Sequence, residues 1–237
     1  MHPLVLVVSA SGGLGASTLA AVVARQAGGI LVDGDLEGPG ADATLVLEEE
    51  PGLRWPDLEG LEGPVDPRRL VARLPGQSPP VLAAAGACRL REGAVRSAVT
   101  ALREVGPVVV DLPAVAMRGY PWLQECDLTV LLAGLRPRQV RDAEVTMRGL
   151  RDVAADVGAV TRGARRAEGV GREVADHLGA RWLAHLADDP SVPRDEGCGR
   201  APRSRGRVGL VAREIVALVP PVATGEGGEQ RWLRAAG

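Results

Sequence analysis

Ser9-Ala10-Ser11-Gly12-Gly13-Leu14-Gly15-Ala16-Ser17-Thr18 follows directly on the apolar run Leu4 to Val8. A strand-length apolar run, a glycine-rich turn and a helix-competent stretch, in that order, make a cradle for phosphate. Successive backbone N–H groups and the helix N-terminus point at the anion, and glycines let the backbone come close to it. Gly12, Gly13 and Gly15 supply that geometry, and Leu14, Ala16, Ser17 and Thr18 complete the predicted nucleotide-binding loop. Such a loop ordinarily carries a lysine that sets a point charge on the terminal phosphates, followed by a hydroxyl that ligates magnesium. Ser17 keeps the hydroxyl, whereas Ala16 stands where the lysine belongs.

The rest of the chain cannot lend an ammonium group. All 28 basic residues among its 237 are arginine, and the sequence contains neither Lys nor Asn. Hydrophobic residues make up 46% of the chain but aromatic ones only 2%, with no Phe, so the core must be built from Leu, Val and Ala. That length supports one substantial core, expected over residues 1–220 with a mobile tail at 221–237. No apolar run approaches the roughly 20 residues that span a bilayer, and no signal-type N-terminus is present. Cys88, Cys126 and Cys198 form no C-x-x-C pair, which reads as reduced thiols and a cytoplasmic location.

Further strand-length runs recur at Ile30 to Val32, Val81 to Ala85, Val108 to Leu112, Leu128 to Ala133 and Val157 to Val160, with Trp182 to Leu186 weaker. Most are continuous rather than alternating, as buried parallel strands are. Helical patterns lie between them, the clearest through Val140, Ala143, Met147, Leu150 and Ala154. This βαβ alternation predicts an α/β fold of the P-loop NTPase type, a three-layer sandwich around a mostly parallel, doubly wound sheet. The segment Glu48 to Pro67, rich in acids, prolines and glycines, reads as an insertion that wraps the surface. A closing helix is expected over Arg207 to Val219.

Two of the strands end in carboxylates. Ile30-Leu31-Val32 runs into Asp33-Gly34-Asp35, and Val108-Val109-Val110 runs into Asp111-Leu112-Pro113. Ligands of open α/β sheets bind at the carboxyl ends of the strands. Asp111 is therefore the candidate to hold magnesium, directly or through water, together with Ser17 and Asp35. Asp35 and Asp111 are the candidate catalytic acids, and Asp33 a candidate nucleotide contact. Without such a ligand, aspartates in these places cap helices or form turns.

The order of these motifs resembles the MinD/ParA family of deviant Walker ATPases, whose loop reads K-G-G-x-G-K-[ST]-T. Gly12, Gly13, Gly15, Ser17 and Thr18 match, while Ser11 and Ala16 replace the two lysines. The TadZ/CpaE-like branch, including actinobacterial septum-site-determining-like proteins, is similar over about Pro3 to Val219. The G-G-x-G-A-S-T stretch, Pro51 to Leu58 reading P-G-L-R-W-P-D-L, and Thr161-Arg162-Gly163 carry this second likeness. The resemblance implies ATP or ADP with magnesium as cofactor, Arg162 at the nucleotide, and a homodimer. It also implies pilus or secretion-system assembly proteins as partners, with polar or septal placement through them. The family's adenine-reading asparagine has no counterpart here, so base recognition must use other residues.

Charge sets the expected activity. Two unit charges at ~4 Å interact by roughly 4 kcal/mol at an effective dielectric of 20. Loss of the lysine beside three aspartates therefore weakens triphosphate binding, unless magnesium or an arginine such as Arg118, Arg136 or Arg138 compensates. Phosphoryl transfer depends on positioned positive charge even more than binding does. The expected protein is a scaffold with weak or lost ATP hydrolysis. The alternatives are an ATPase switch that uses arginine or magnesium instead, or a septum regulator.

Other chemistries find little support in the sequence. His2, His177 and His185 have no metal-ligand spacing. The arginine-rich loop Arg194 to Arg207 lacks interleaved aromatics and contains Asp195 and Glu196, which argues against DNA binding. Acids crowd Asp33 to Asp66 and arginines crowd Arg136 to Arg213, a polarity suited to protein partners. The closing helix is apolar around most of its circumference, which fits core closure better than membrane contact.

Overall fold

The computed structural model describes residues 1–219, apart from Glu37, Pro39, Glu62, Pro64, Ala87, Arg89, residues 115–120 and Ala155. The expected tail and Arg118 therefore lie outside the described residues.

Seven strands form one sheet: β1 (Leu4–Ser9), β2 (Ile30–Asp33), β3 (Val81–Leu82), β4 (Val108–Pro113), β5 (Leu128–Gly134), β6 (Val157–Gly163) and β7 (Arg181–Ala187). Their order is β3-β2-β4-β1-β5-β6-β7, and every pair is parallel. The continuous apolar runs have the cause expected of them, since β1, β2 and β5 are covered on both faces and bury almost every residue. All seven predicted strands are present, β3 being shorter than its apolar run.

Among the described residues eight α-helices accompany the sheet: α1 (Ala16–Gln26), α2 (Ala41–Leu45), α3 (Pro67–Val71), α4 (Glu92–Val105), α5 (Pro137–Arg151), α6 (Glu168–His177), α7 (Ser191–Glu196) and α8 (Gly206–Leu218). One face of the sheet packs on α1, α2 and α8, through Leu19, Val22, Leu45, Val208, Val211 and Ile215 among others. The opposite face packs on α3 to α6, through Leu70, Val95, Leu102, Met147, Leu150 and Leu178. Helices on both faces of a parallel sheet make the three-layer, doubly wound architecture. α8 turns Val208, Val211, Ala212 and Ile215 into the core beside α1, the core-closing role its composition predicts. Among the described residues no helix is long and apolar enough to cross a membrane.

The acidic segment departs from its expected place on the surface. Trp55 is only 1% exposed and Leu58 6%, and both join the core beneath α3 and α4. A 3-10 turn over Trp55–Leu58 carries them inward, and Trp55 N donates to Ala83 O. Arg54 is buried alongside. Its Nε lies 2.7 Å from Asp42 Oδ2, and its other nitrogens donate to the carbonyls of Leu47, Glu50 and Gly52. Glycine, proline and acid content marked the segment as a loop, but one tryptophan and one paired arginine are enough to fold that loop into the protein.

A buried ion pair is costly to break from one side, because the survivor is left charged and unpaired. Arg54→Ala is expected to destabilise the protein by about 3–5 kcal/mol, and Asp42→Ala/Arg54→Ala by clearly less. Thermal and urea unfolding of the three chains measures both effects.

Candidate functional site

The site lies at the carboxyl ends of β1, β2 and β4. β1 sits in the middle of the sheet, where the chain first winds toward β2 and later toward β7; a crevice at such a switch point is where doubly wound sheets bind ligands. Ala10 N donates to Leu132 O of β5, and the Ser9 hydroxyl donates to the carbonyl of Ser11, so the chain turns sharply as it leaves β1. Gly15 has φ 86° and forms the N-cap of α1, a left-handed conformation that β-carbon sterics disfavour. The first-turn N–H groups of α1, at Ala16, Ser17 and Thr18, have no partners within the helix. Such first-turn donors are what an anion cradle requires.

A β-carbon added at Gly12 or Gly13 would meet nothing within 4 Å, so open space lies over the loop crest. Leu14 and Ala16, by contrast, turn their side chains into the core and are 4% and 6% exposed. They can contribute backbone alone. The Ser11 hydroxyl donates to Asp142 Oδ2 of α5 at 2.7 Å, a contact that spans 131 residues of chain and had no sequence signal.

Register brings the acids together. Asp33 lies opposite Asp111 in the β2–β4 pairing, and Val7 of β1 lies opposite Asp111 on its other side. Gly34 permits this closeness: its N–H donates to Asp111 O, and a β-carbon there would fall 2.6 Å from Leu112 Cδ1. Burial pushes the Asp111 carboxyl up to about 6. The Ser17 hydroxyl, hydrogen-bonded to it, opposes that rise, while the neighbouring Asp33 and Asp35 add to it. Asp35 is half-buried, its carboxylate packed against Gly38.

Asp33, the candidate nucleotide contact, has its carboxylate engaged by the chain's own backbone. Its carboxylate accepts from Asp35 N at 2.9 Å, Ala41 N at 2.7 Å and Ala84 N at 3.3 Å, which holds the turn after β2 against the end of β3. Its carbonyl accepts from Trp55 Nε1 at 2.7 Å. Burial raises its pKa, and the three backbone donors pull the other way.

Arg162, at the end of β6, reaches across to the loop. Its Nη1 donates to Leu14 O at 3.1 Å, and its Nε pairs with Asp188 Oδ1 at 3.1 Å. Arg136 and Arg138 are exposed at the start of α5, and neither hydrogen-bonds to residues 9–18. Beside Thr18, a cleft of about 460 Å³ opens between α2 and residues 189–208, its rim carrying Glu48, Arg200 and the Arg203–Asp195 ion pair. That volume suits a nucleoside-sized group.

The residues present fit a magnesium nucleotide. Backbone donors, an open glycine crest, a hydroxyl paired with a strand-end carboxylate and an adjoining cleft are the parts such a ligand uses. Among the described residues no three His, Cys, Asp or Glu side chains gather into a metal cage. Magnesium would thus rely on phosphate oxygens and water beside Ser17 and Asp111, the usual manner of this ion. The cysteines offer no alternative chemistry. Cys126 is buried with its thiol pushed up to about 12, Cys88 is half-buried and also raised by burial, and Cys198 is exposed.

No family model matches the chain. It is 31% identical over 232 residues, 95% of its length, to the uncharacterized proteins MT3760 and Rv3660c of two Mycobacterium tuberculosis strains, and spans 66% of the length of those relatives. Among solved structures, a ParA family ATPase from Chlorobium tepidum superposes with TM-score 0.77 at 14% identity, over 92% of this chain and all of that one. MinD from Aquifex aeolicus, also solved as a MinC:MinD complex, gives 0.69 at 19% identity over 92% and 99%. A putative plasmid partition protein from Borrelia burgdorferi bound to AMPPNP gives 0.68 at 11%, again over 92% and 99%. The chain therefore has the MinD/ParA-type P-loop ATPase fold.

The raised Asp111 pKa makes stability depend on pH. A carboxyl that holds its proton more tightly when folded contributes stability that is fully present below its unfolded value near 3.8 and is lost as pH rises through about 6. The effect is worth about 3 kcal/mol at most. Asp111→Asn is expected to melt higher than wild type at pH 7, and the gap should close toward pH 4. A pH series of melting curves without nucleotide tests this.

Proposed function

We propose that the protein is a MinD/ParA-like positioning or assembly scaffold of the TadZ/CpaE type, serving a pilus or secretion system. It binds ATP or ADP with magnesium and hydrolyses ATP weakly or not at all. The observation that carries the reading is the contrast at the loop: Ser17 hydrogen-bonds to Asp111 beside an open glycine crest, yet Ala16 points into the core. The parts that hold a nucleotide are present, and the lysine that would neutralise charge in the transition state is gone. In this reading Gly12, Gly13, Leu14, Gly15, Ala16, Ser17 and Thr18 hold phosphate through their backbone. Ser17, Asp35 and Asp111 hold magnesium, directly or through water.

When bound, magnesium would supply Lewis-acid charge to the phosphates. The chain's own contribution is to bind and orient. Binding and catalysis separate here for a physical reason. Backbone donors can cradle the phosphates without the lysine, whereas acceleration needs positive charge that acts more strongly on the transition state than on the ground state. Support for the scaffold role comes from the two missing lysines and from the stretches Pro51 to Leu58 and Thr161 to Gly163. The uneven charge along the chain supports protein partners, with a homodimer among them.

Titration calorimetry with magnesium ATP and ADP is expected to show binding, and the same protein should turn over ATP slowly. Rapid magnesium-dependent turnover that disappears in Asp111→Ala would instead establish an ATPase switch. In the source organism, deletion should impair pilus assembly or secretion and leave septation intact. Defective septation with normal pili and secretion would favour the septum-regulator role.

A further inference from the structure

We infer that the protein associates head to tail with further copies of itself, the turn from Val46 to Glu50 of one copy seating on the outer stripe of α5 of the next. The inference goes beyond the scaffold reading above, and the contact needs no nucleotide.

The turn holds a residue in a costly place. Val46 caps the C-terminus of α2 with φ 58°, and among the described residues it is the one non-glycine at positive φ. A β-branched side chain is disfavoured in that region, where glycine or asparagine ends a helix with little strain. Val46 is nonetheless 43% exposed, so burial within its own chain does not offset the strain. Glu48, Glu49 and Glu50 follow it, all exposed. The turn is fixed from beneath: Arg54 Nη2 donates to Leu47 O at 3.0 Å and to Glu50 O at 3.2 Å, and Gly76 N donates to Glu50 Oε2 at 3.0 Å. A valine beside glutamates is thus presented on a rigid support, which lowers the entropic cost of any contact it makes.

α5 presents the complement. Arg138, Arg141, Val145 and Arg148 recur at helical spacing along its solvent side, a stripe about 15 Å long. Val145 is 61% exposed and the Arg141 side chain 81%. A lone exposed valine is ordinary. A valine ringed by arginines has the anatomy of a contact patch, apolar at its centre and charged at its rim. Helix energetics gives no reason for the arginines. The first turn of α5 contains no acid, so Arg136 and Arg138 oppose the macrodipole. The acids of α5 are already engaged, Asp142 by the Ser11 hydroxyl and Glu144 by Arg141 and His177. Among the described residues no carboxylate pairs with Arg138 or Arg148.

The two patches cannot cover each other within one chain, because α2 packs on one face of the sheet and α5 on the opposite face. They can meet only between copies. Since the two surfaces differ, the contact is heterologous, and each added copy brings a free patch of the kind it has just covered. The product is a growing row rather than a closed pair. A net charge of only -2 leaves little overall repulsion between copies. One valine on each side and a few rim ion pairs make the association weak and sensitive to salt.

Sedimentation velocity of the full chain without nucleotide tests the inference. At about 50 mM salt the mean mass is expected to rise with protein concentration past that of a dimer, and at about 500 mM salt to fall back to monomer. Arg138→Glu/Arg148→Glu and Glu48→Arg/Glu49→Arg should each be monomeric. Mixed in equal amounts, they should form a one-to-one heterodimer and nothing larger, since each supplies the patch that the other has lost. Val46→Asn should weaken association at least about tenfold and melt no lower than wild type, as relief of strain requires. Melting curves check the fold of every variant, and Arg138→Gln/Arg148→Gln replaces the charge reversal if that variant melts lower. Wild type that stays monomeric, or that stops at a dimer, would overturn the inference. So would wild-type association in either double variant, a mixture that stays monomeric, or an association that appears only with magnesium ATP.

Discussion

The Asp33 carboxylate, buried at the end of β2, accepts hydrogen bonds from the backbone of Asp35, Ala41 and Ala84, while the Asp33 carbonyl takes the indole of Trp55. Four pieces of chain separated by as many as 51 residues are tied to one side chain and one peptide group. A carboxyl group this deep is tolerated because backbone donors replace the water it has lost. Those bonds hold the turn after β2 in place and so set where Asp35 lies. They also bring the acidic segment inward, where Arg54 closes on Asp42 beneath it. The crevice at the carboxyl edge is thus walled by a polar network that must be complete to be stable at all.

That network concentrates negative charge beside an anion-binding loop. Asp111 illustrates the cost, its carboxyl raised to about 6 despite the Ser17 hydroxyl bonded to it. In a loop that carries its own lysine, the opposing charges balance locally. Here α1 opens with a core-facing alanine, and among the described residues the guanidinium that hydrogen-bonds to the loop comes from a strand two places along the sheet. The proposed weak hydrolysis rests on this arrangement, since hydrolysis calls for charge aimed at the bond that breaks.

Much of the architecture was legible in the sequence. The seven strands stood out because a strand buried on both faces must be apolar throughout, and the stripe on α5 because one face of that helix meets the sheet. The loop was equally plain, since glycine spacing and a following hydroxyl have a direct geometric meaning. The segment 48–67 misled for the opposite reason. Its composition is that of a surface loop, and nothing local shows that Trp55 and Leu58 supply aromatic and aliphatic bulk to a core made mostly of Leu, Val and Ala. The Ser11–Asp142 contact was invisible too, because it joins residues whose proximity only strand order creates.

The sequence by itself determined the α/β layering, the phosphate-loop frame and the absence of lysine from it. These are properties of residue type and local spacing, which act over one turn or one strand. Only the tertiary structure decided what each charge does. Asp33 became a brace because β2 lies beside β3. Asp111 met Ser17 because β4 lies beside β1, and Arg162 met the loop because β6 ends at the same edge of the sheet. Electrostatic roles depend on distances and burial of a few ångströms between groups far apart in sequence. In a parallel sheet those distances follow from strand order and register.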